Sequence, residues 1–194
     1  ATFKINGKNF ATQSGTGEAT VHSDVVFPSG HIIQVKGKHD STQDAISIGT
    51  TPVAIGLNIS ITPTSASNTI IIHGCYFSGN VNWNGGVGLG RHLSSDSFSD
   101  SATRIADAGG SDGNYVRAGN FYNADDAYGT NHTLDFVPFT YYDSSHSTTN
   151  EITYTLYGEA SGTQTYYYNR ASNATTSGHG TSFIYAYEVV GSVT

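Results

Sequence analysis

The stretch from residue 52 to residue 77, PVAIGLNISITPTSASNTIIIHGCYF, constrains the fold most, because it holds two strand patterns joined by a turn. Every second position of its first part is apolar, with small or polar residues between: Val53, Ile55, Leu57, Ile59 and Ile61. That period is typical of a strand with one buried face. Pro63 ends the run, since proline lacks the N–H that a strand ladder requires.

A second run rich in β-formers begins at Thr69 and contains three successive isoleucines, Ile70 to Ile72. Continuous apolar residues of this kind indicate a strand covered on both faces. The two runs are interpreted either as a β-hairpin or as a crossing from one sheet to another.

The rest of the chain repeats short strand patterns between turns. We expect strands at 31–36, 46–48, 87–93, 132–142, 151–159, 164–170 and 181–190. Pro138 interrupts one of them, which predicts an edge strand or a bulge. With 23 glycines, 13 tyrosines and no methionine, we expect little or no helix and an all-β, antiparallel β-sandwich of the jelly-roll type.

Two regions differ from this pattern. Residues 1–24 are small, polar and weakly apolar, and we expect a short extended N-terminal arm before a single jelly-roll head domain at 25–194. Residues 94–114 are rich in Ser, Asp and Gly, which predicts either a long excursion or two short strands with loops. The glycines of GGVGLG, at 85–90, predict a strand whose backbone another group of the protein approaches closely.

Charge and cysteine content exclude some classes of protein. The formal net charge is −7, which argues against a nucleic-acid binder that must displace counterions. All four lysines lie in the first 38 residues, which carry +2, whereas the remainder carries −9. A basic arm meeting an acidic partner and a chance scatter of lysines both explain this.

Cys75 is the one cysteine, so no intrachain disulfide forms, and its place in the isoleucine-rich strand predicts a buried, inert thiol. No apolar run is long enough for membrane insertion.

The order of several pieces resembles a virion-fibre module of marine tailed bacteriophages. The pieces are PSGHIIQ at 28–34, GLNISITPTSASNTIII at 56–72, LGRHL at 89–93, DSSHSTTNEITYTLY at 143–157, YYYNR at 166–170 and FIYAYEV at 183–189. Members of that family carry a Ser-Ile-Thr-Pro turn, an Ile/Val strand, an arginine strand, a Thr-Tyr strand, a Tyr-x-Asn-Arg strand and a last strand ending in Glu-Val or Glu-Ile. This chain departs from them at Ser145, where the family often has proline, and in the segment 94–130.

The resemblance implies a homotrimeric jelly roll of the tumour-necrosis-factor or complement-C1q kind, located in the virion and used for host attachment or surface decoration. It carries over no catalytic residues. It also implies that the arm attaches the head to other virion proteins of the capsid or tail, with Phe3, Lys4, Ile5 and Lys8 as the attachment residues.

Candidate ligand-binding residues are aromatic and polar side chains that we place at loop tips, where they could stack on the sugar rings of a host cell-surface glycan. They are Trp83, Asn84, Tyr115, Tyr122 and Asn123. Alternating tyrosines on strands are instead interpreted as sheet packing. The histidines are scattered and show no local metal-ligand spacing, and no acid pair or Ser/His/Asp order is recognisable. We therefore expect no metal, no cofactor and no enzymatic activity.

Three functions follow as hypotheses. The first is a bacteriophage structural protein, a trimeric tail-fibre or head-fibre head displayed for attachment to the host surface. The second is a capsid decoration protein that binds the shell through its arm. The third, from another class, is a monomeric carbohydrate-binding or polysaccharide-degrading β-sandwich.

Overall fold

The computed structural model describes residues 1–21, 25–79, 85–98, 102–105, 120–121, 134–172 and 178–191. All regular elements in these ranges are strands. The strands are β1 (Thr2–Ile5), β2 (Lys8–Thr12), β3 (Thr20–Val21), β4 (Ile32–Asp40), β5 (Asp44–Ile48), β6 (Val53–Ile61), β7 (Thr69–Gly79), β8 (Gly85–Leu93), β9 (Thr103–Arg104), β10 (Asn120–Phe121), β11 (Leu134–Asp143), β12 (Ile152–Ala160), β13 (Gln164–Tyr168) and β14 (Ser182–Val189). No helix in the described ranges has the length and apolarity needed to cross a membrane.

Two antiparallel sheets form the main body. The front sheet has the order β4-β14-β7-β13-β5, and β11 pairs with the other edge of β7. The back sheet has the order β10-β8-β12-β6, with β9 paired to β8. The predicted all-β antiparallel sandwich is confirmed. β11 runs unbroken through Pro138 and pairs only with β7 among the described strands, so the edge position that this proline predicts is also confirmed.

The turn at 62–68 carries the chain from one sheet to the other. β6 lies in the back sheet and β7 in the front sheet, so the two strands are not a hairpin. The first long strand of the body, β4, lies beside the last, β14, and β6 lies beside β12. Pairing of early strands with late ones in both sheets is the strand order of a jelly roll.

The core lies between the front and back sheets. Alternate residues of β6, Ile55 to Ile61, and of its neighbour β12 face alternate residues of β7 and β14 across it. Tyrosines take part in this core: Tyr76, Tyr154, Tyr166 and Tyr168 are each at most 1% exposed. The interpretation of strand tyrosines as packing residues is confirmed for these positions.

Residues 1–21 form a small sheet of their own with the order β1-β2-β3. The turn Asn6-Gly7 has positive φ at both residues, 48° and 76°, as expected for the tight turn of an Asn-Gly hairpin. Phe3 and Phe10 meet edge to face with ring centroids 5.8 Å apart. The arm is thus extended in backbone, as expected, but its strands pair with one another. The boundary at residue 24 stays a prediction.

Candidate functional site

The outer face of the front sheet carries a continuous aromatic surface, which we call the aromatic face. The cross-strand register places one residue of each of the four strands β4, β14, β7 and β11 side by side at three successive levels, and Phe77 beside Phe136 at a fourth. Its members are Val35, Gly37, His39, Phe183, Tyr185, Tyr187, Ile71, His73, Cys75, Phe77, Phe136, Pro138, Thr140 and Tyr142.

The period of the strands explains how these residues come to lie outside. In β14 the residues Ile184 and Ala186 are fully buried in the core, so Phe183, Tyr185 and Tyr187 point the other way. β7 and β11 follow the same alternation: Ile72 and Phe139 face the core, and their neighbours face outward.

None of the members of the aromatic face is an Asp, Glu, Lys or Arg. An antiparallel sheet with one solvated face ordinarily carries polar residues there. Here Val35, Phe136 and Tyr142 are 53%, 57% and 59% exposed. Contiguous exposed apolar surface of this kind marks an interaction site.

Ring contacts hold the centre of the aromatic face together. Tyr185 and Tyr187 stack with centroids 6.2 Å apart, and the ring of Tyr185 lies across Gly37, where a Cβ would collide with it. The hydroxyl of Tyr185 lies 2.8 Å from His39 Nε2. His73 Nδ1 lies 2.9 Å from Thr140 Oγ1. These contacts hold the Tyr185 ring and the two imidazoles in place.

Cys75 lies at the middle of this face and is fully buried, as the sequence predicts. Burial raises the pKa of its thiol, and a backbone hydrogen bond at Val137 lowers it by less. The resulting pKa is about 11. Because the thiolate is the nucleophile, this thiol is unreactive at neutral pH. His73 is its neighbour on the strand face, but its Nδ1 is directed to Thr140.

The outer face of the back sheet is different, because the chain covers it. Three side chains of the segment after β8, Ser94, Phe98 and Arg104, contact this face. Phe98 stacks on Tyr157 with centroids 5.8 Å apart, and a Cβ at Gly90 would lie 2.7 Å from the ring of Phe98. Tyr157 likewise lies against Gly88. The close approach predicted for the glycine strand is confirmed, and the groups that approach are these two rings.

Polar contacts complete this cover. The Arg104 guanidinium pairs with Glu159 at 2.9 Å and lies over the Tyr157 ring. Thr153 Oγ1 lies 2.8 Å from Ser60 Oγ and 2.6 Å from Ser94 Oγ. The outer face of the back sheet is therefore covered by its own chain over β8 and β12, whereas the aromatic face is open in the described residues.

Two buried carboxylates lie at one end of the front sheet, on either side of Ile70 in β7. Asp143, on β11, accepts hydrogen bonds from Arg91 and from the Tyr154 hydroxyl. Burial raises the pKa of Asp143, but the hydrogen bonds from Tyr154 and Arg91 outweigh it and hold the pKa below its ordinary value. Glu188, on β14, accepts from Thr64 N at 2.7 Å and from Asn68 Nδ2 at 2.7 Å. Both carboxylates are fully used in internal contacts.

The structure places the expected particle-attachment residues together. Phe3, Lys4 and Ile5 lie on β1 and Lys8 on β2, and all four are exposed. Ile5 and Lys8 are directly opposite each other across the hairpin. The small sheet thus presents apolar and cationic side chains, which is the chemistry that the attachment hypothesis requires.

The expected glycan-binding residues Trp83, Asn84, Tyr115, Tyr122 and Asn123 lie outside the described residues. Among the residues that are described, no group of three or more His, Cys, Asp or Glu side chains is arranged to hold a metal ion.

The sequence does not single out the aromatic face as a site, although a signal for it is present. The last strand reads FIYAYEVV, with the rings of Phe183, Tyr185 and Tyr187 at one set of alternate positions and Ile184 and Ala186 between them. Both faces of this part of the strand are therefore apolar. Local periodicity predicts that these tyrosines pack within the chain, and only the pairing with β7 decides which face meets the core.

Comparisons with known proteins identify no family. No protein-family model and no curated protein matches the chain. Among solved structures, the chain is similar to the VP2 subviral particle of infectious bursal disease virus, with 9% identity and a TM-score of 0.41. It is also similar to a structure of the Gx strain of that virus, with 13% identity and a TM-score of 0.38.

These alignments cover 97% and 92% of this chain but 46% and 40% of the viral chains. The chain therefore spans less than half the length of the proteins that it matches. At such identities and TM-scores, no conclusion about the function of this chain follows from them.

Proposed function

We propose that this chain is a structural protein of a bacteriophage virion, a fibre head that assembles as a homotrimer through the aromatic face. The observation that supports this proposal is the contrast between the two outer faces of the sandwich. The outer face of the back sheet is covered over β8 and β12 by Phe98 and Arg104 of the same chain, whereas the front sheet presents an uncharged aromatic surface.

A second copy of the chain fits this surface better than a charged partner does. Two such faces meet without burying an unpaired charge, whose desolvation would oppose assembly. Depletion of charge and enrichment of tyrosine and phenylalanine are the features of interface cores. The fibre module that the chain resembles is trimeric, and this selects a threefold assembly over a twofold one.

The small N-terminal sheet supplies the second half of the proposal. Its exposed Phe3, Ile5 and Lys8 would bind another virion protein, and the head would then face the host surface. Several weak sites per trimer, repeated over the particle, add up to firm adsorption. If the head does not bind cells, the same geometry serves a capsid decoration protein held by its N-terminal sheet.

The test is the solution mass of the 194-residue chain, measured by light scattering after size exclusion. We expect three times the 20.5 kDa chain mass. Val35→Glu and Tyr142→Glu place a charge on the aromatic face and should each give a folded monomer. Ser161→Glu is the matched control, since Ser161 is exposed in the turn between β12 and β13 and should leave the mass unchanged.

A second candidate function rests on the same surface. Exposed rings on a flat sheet face also stack on sugar rings, so a monomeric carbohydrate-binding sandwich would use the aromatic face as its platform. A monomeric wild-type chain that is retained on an insoluble polysaccharide, and is released by Tyr142→Ala, would support this candidate and overturn the trimer.

The attachment part is tested separately. Fluorescently labelled trimer should bind bacterial cells, and soluble surface polysaccharide should compete with it. The double variant Phe3→Ser with Ile5→Ser should keep cell binding but lose co-sedimentation with phage particles.

A further inference from the structure

Two histidines lie at the centre of the aromatic face, one on each side of Phe183. His39 precedes the end of β4 and His73 lies in the middle of β7, and their ring centroids are 5.9 Å and 6.3 Å from that of Phe183. Both side chains are exposed in the single chain. Each forms its hydrogen bond with a hydroxyl on the same face, Tyr185 for His39 and Thr140 for His73.

The described groups around these imidazoles include no carboxylate on the same face. The titratable neighbours are Tyr185 and Tyr187 on β14, Tyr142 on β11 and Cys75 on β7. Phenols and thiols of this kind are uncharged in acidic solution. Lys38 and Asp40 flank His39 in β4 but point to the opposite face, where Lys38 binds Asn58 and Asp40 accepts from Tyr168.

The other charged residues of these strands are Lys36 on β4, Glu188 on β14, and Asp135 and Asp143 on β11. They alternate with the members of the aromatic face and so lie on the opposite side of the sheet. Beyond Phe77, Gly180 lies against the Phe77 ring, and its neighbour His179 forms a bridge with Arg170, which lies over the Tyr167 ring.

We propose that the aromatic face is an acid-sensitive contact between copies of this chain, in which protonation of His39 and His73 separates the subunits. This inference rests on the proposed assembly through the aromatic face. In a free subunit both side chains are exposed to water, which hydrates a charged imidazolium. In the assembly they are buried against aromatic rings, with no carboxylate among the described residues of this face, and there an imidazolium loses its hydration without gaining a partner.

The direction of the pH dependence follows from this difference. Burial disfavours the charged form of histidine, so the assembled state binds fewer protons than the free subunits. Assembly is therefore favoured at neutral and alkaline pH, where an imidazole is ordinarily uncharged. The association constant falls as the solution becomes more acidic, by up to tenfold for each histidine and each pH unit. Such a device would let a particle alter its surface fibres on entering an acidic environment.

The experiment measures solution mass at pH 8 and at pH 5 for the wild-type chain and for the double variant His39→Gln with His73→Gln. Glutamine keeps a hydrogen-bonding group for Tyr185 and Thr140 but does not ionise. We expect a wild-type trimer at pH 8, folded wild-type monomers at pH 5 by circular dichroism, and a double variant that stays trimeric at both. The single variants His39→Gln and His73→Gln should each lower the pH of dissociation in part. His92→Gln, on the covered outer face of the back sheet, is the matched control and should dissociate like the wild type.

The outcomes separate this inference from the proposed function. A wild-type trimer that persists at pH 5 overturns the acid switch and leaves the assembly standing. Dissociation of the double variant at pH 5 also overturns it, because other groups would then control the equilibrium. A wild-type monomer at pH 8 overturns the proposed assembly and also the acid switch that depends on it.

Discussion

The guanidinium of Arg91 lies 2.6 Å from both carboxylate oxygens of Asp143 and so ties the back sheet to the front sheet. Arg91 is on β8, and Asp143 is the last residue of β11. The Asp143 side chain is 1% exposed. Tyr154 of β12 donates to the same carboxylate at 2.7 Å, and the Ser145 N–H does so at 3.0 Å. This pair closes one end of the sandwich.

Replacing Asp143 by Asn should destabilise the fold strongly. Removal of one partner from a buried ion pair leaves the other charge uncompensated, which costs about 3–5 kcal/mol in the free energy of unfolding. Urea unfolding at pH 7 measures it. Asp135→Asn is the control: burial raises the pKa of Asp135, so neutralising it should leave stability unchanged or slightly higher. Equal losses in both variants would contradict a specific role for Asp143.

The same carboxylate should contribute to the pH dependence of stability. Its pKa in the folded chain is below the ordinary value, so the contribution is present above the unfolded pKa of about 3.9. It is lost as the pH falls through the lower, folded pKa. Thermal unfolding of the wild type should therefore lose more stability between pH 5 and pH 2 than that of Asp143→Asn. Parallel pH curves for the two chains would be the contrary result.

Glu188→Ala should loosen the crossing turn at 62–68. The change leaves the Thr64 N–H and the Asn68 amide without this carboxylate as acceptor. Asn68 is buried, and a buried donor left unpaired costs about 1–3 kcal/mol. Hydrogen exchange of the Thr64 and Ser65 amides should speed up, alongside a lower urea midpoint. Glu151→Ala removes an exposed carboxylate before β12 and should change neither quantity. Unchanged exchange in Glu188→Ala would show that the turn holds without this carboxylate.

Gly74→Ala should be poorly tolerated in the middle of β7. A Cβ there would run into the backbone carbonyl of Phe183 on β14 and lie 2.7 Å from the ring of Phe139. Because a neighbouring strand cannot withdraw as a side chain can, we expect a loss of about 1–3 kcal/mol or more. Gly162→Ala is the matched control, since its Cβ would meet nothing within 4 Å. Thermal midpoints that agree for both variants would refute the packing argument.

Cys75 should react with a thiol reagent such as DTNB only after unfolding. The side chain has no exposed surface, and the pKa of about 11 leaves almost no thiolate at pH 8. The measurement compares labelling at pH 8 with and without guanidinium chloride. Rapid stoichiometric labelling of the folded chain would contradict the burial of this thiol.

The local pattern was sufficient to predict most strands of the sandwich. β6 at Val53–Ile61 and β12 at Ile152–Ala160 match the alternation almost residue for residue, because side chains in a strand point to opposite faces whatever the strand pairs with. The pattern was less informative for β12 as a whole. It predicts one buried face with Ile152, Tyr154 and Leu156, yet Thr153, Thr155 and Tyr157 are buried as well, because the segment after β8 covers them.

In the arm, too, the local sequence predicts one feature and not another. Asn6-Gly7 marks a turn in the sequence, and the structure confirms it with two positive φ angles. The pairing of β2 with β3, however, joins Ala11 to Val21 across a polar stretch that has no strand signal of its own.

The sequence by itself determined the all-β class, the positions of the strands, the turn after Pro63 and the buried state of Cys75, since each depends on a residue and its near neighbours. Only the tertiary structure decided that β6 and β7 belong to different sheets. It also decided that Arg91 meets Asp143 and that Phe183, Tyr185 and Tyr187 lie on an open face. Those outcomes depend on pairs such as Ile152 with Ile61 and Glu188 with Ile70. Contacts between residues this far apart are selected by the burial of the whole core and leave no trace in local periodicity.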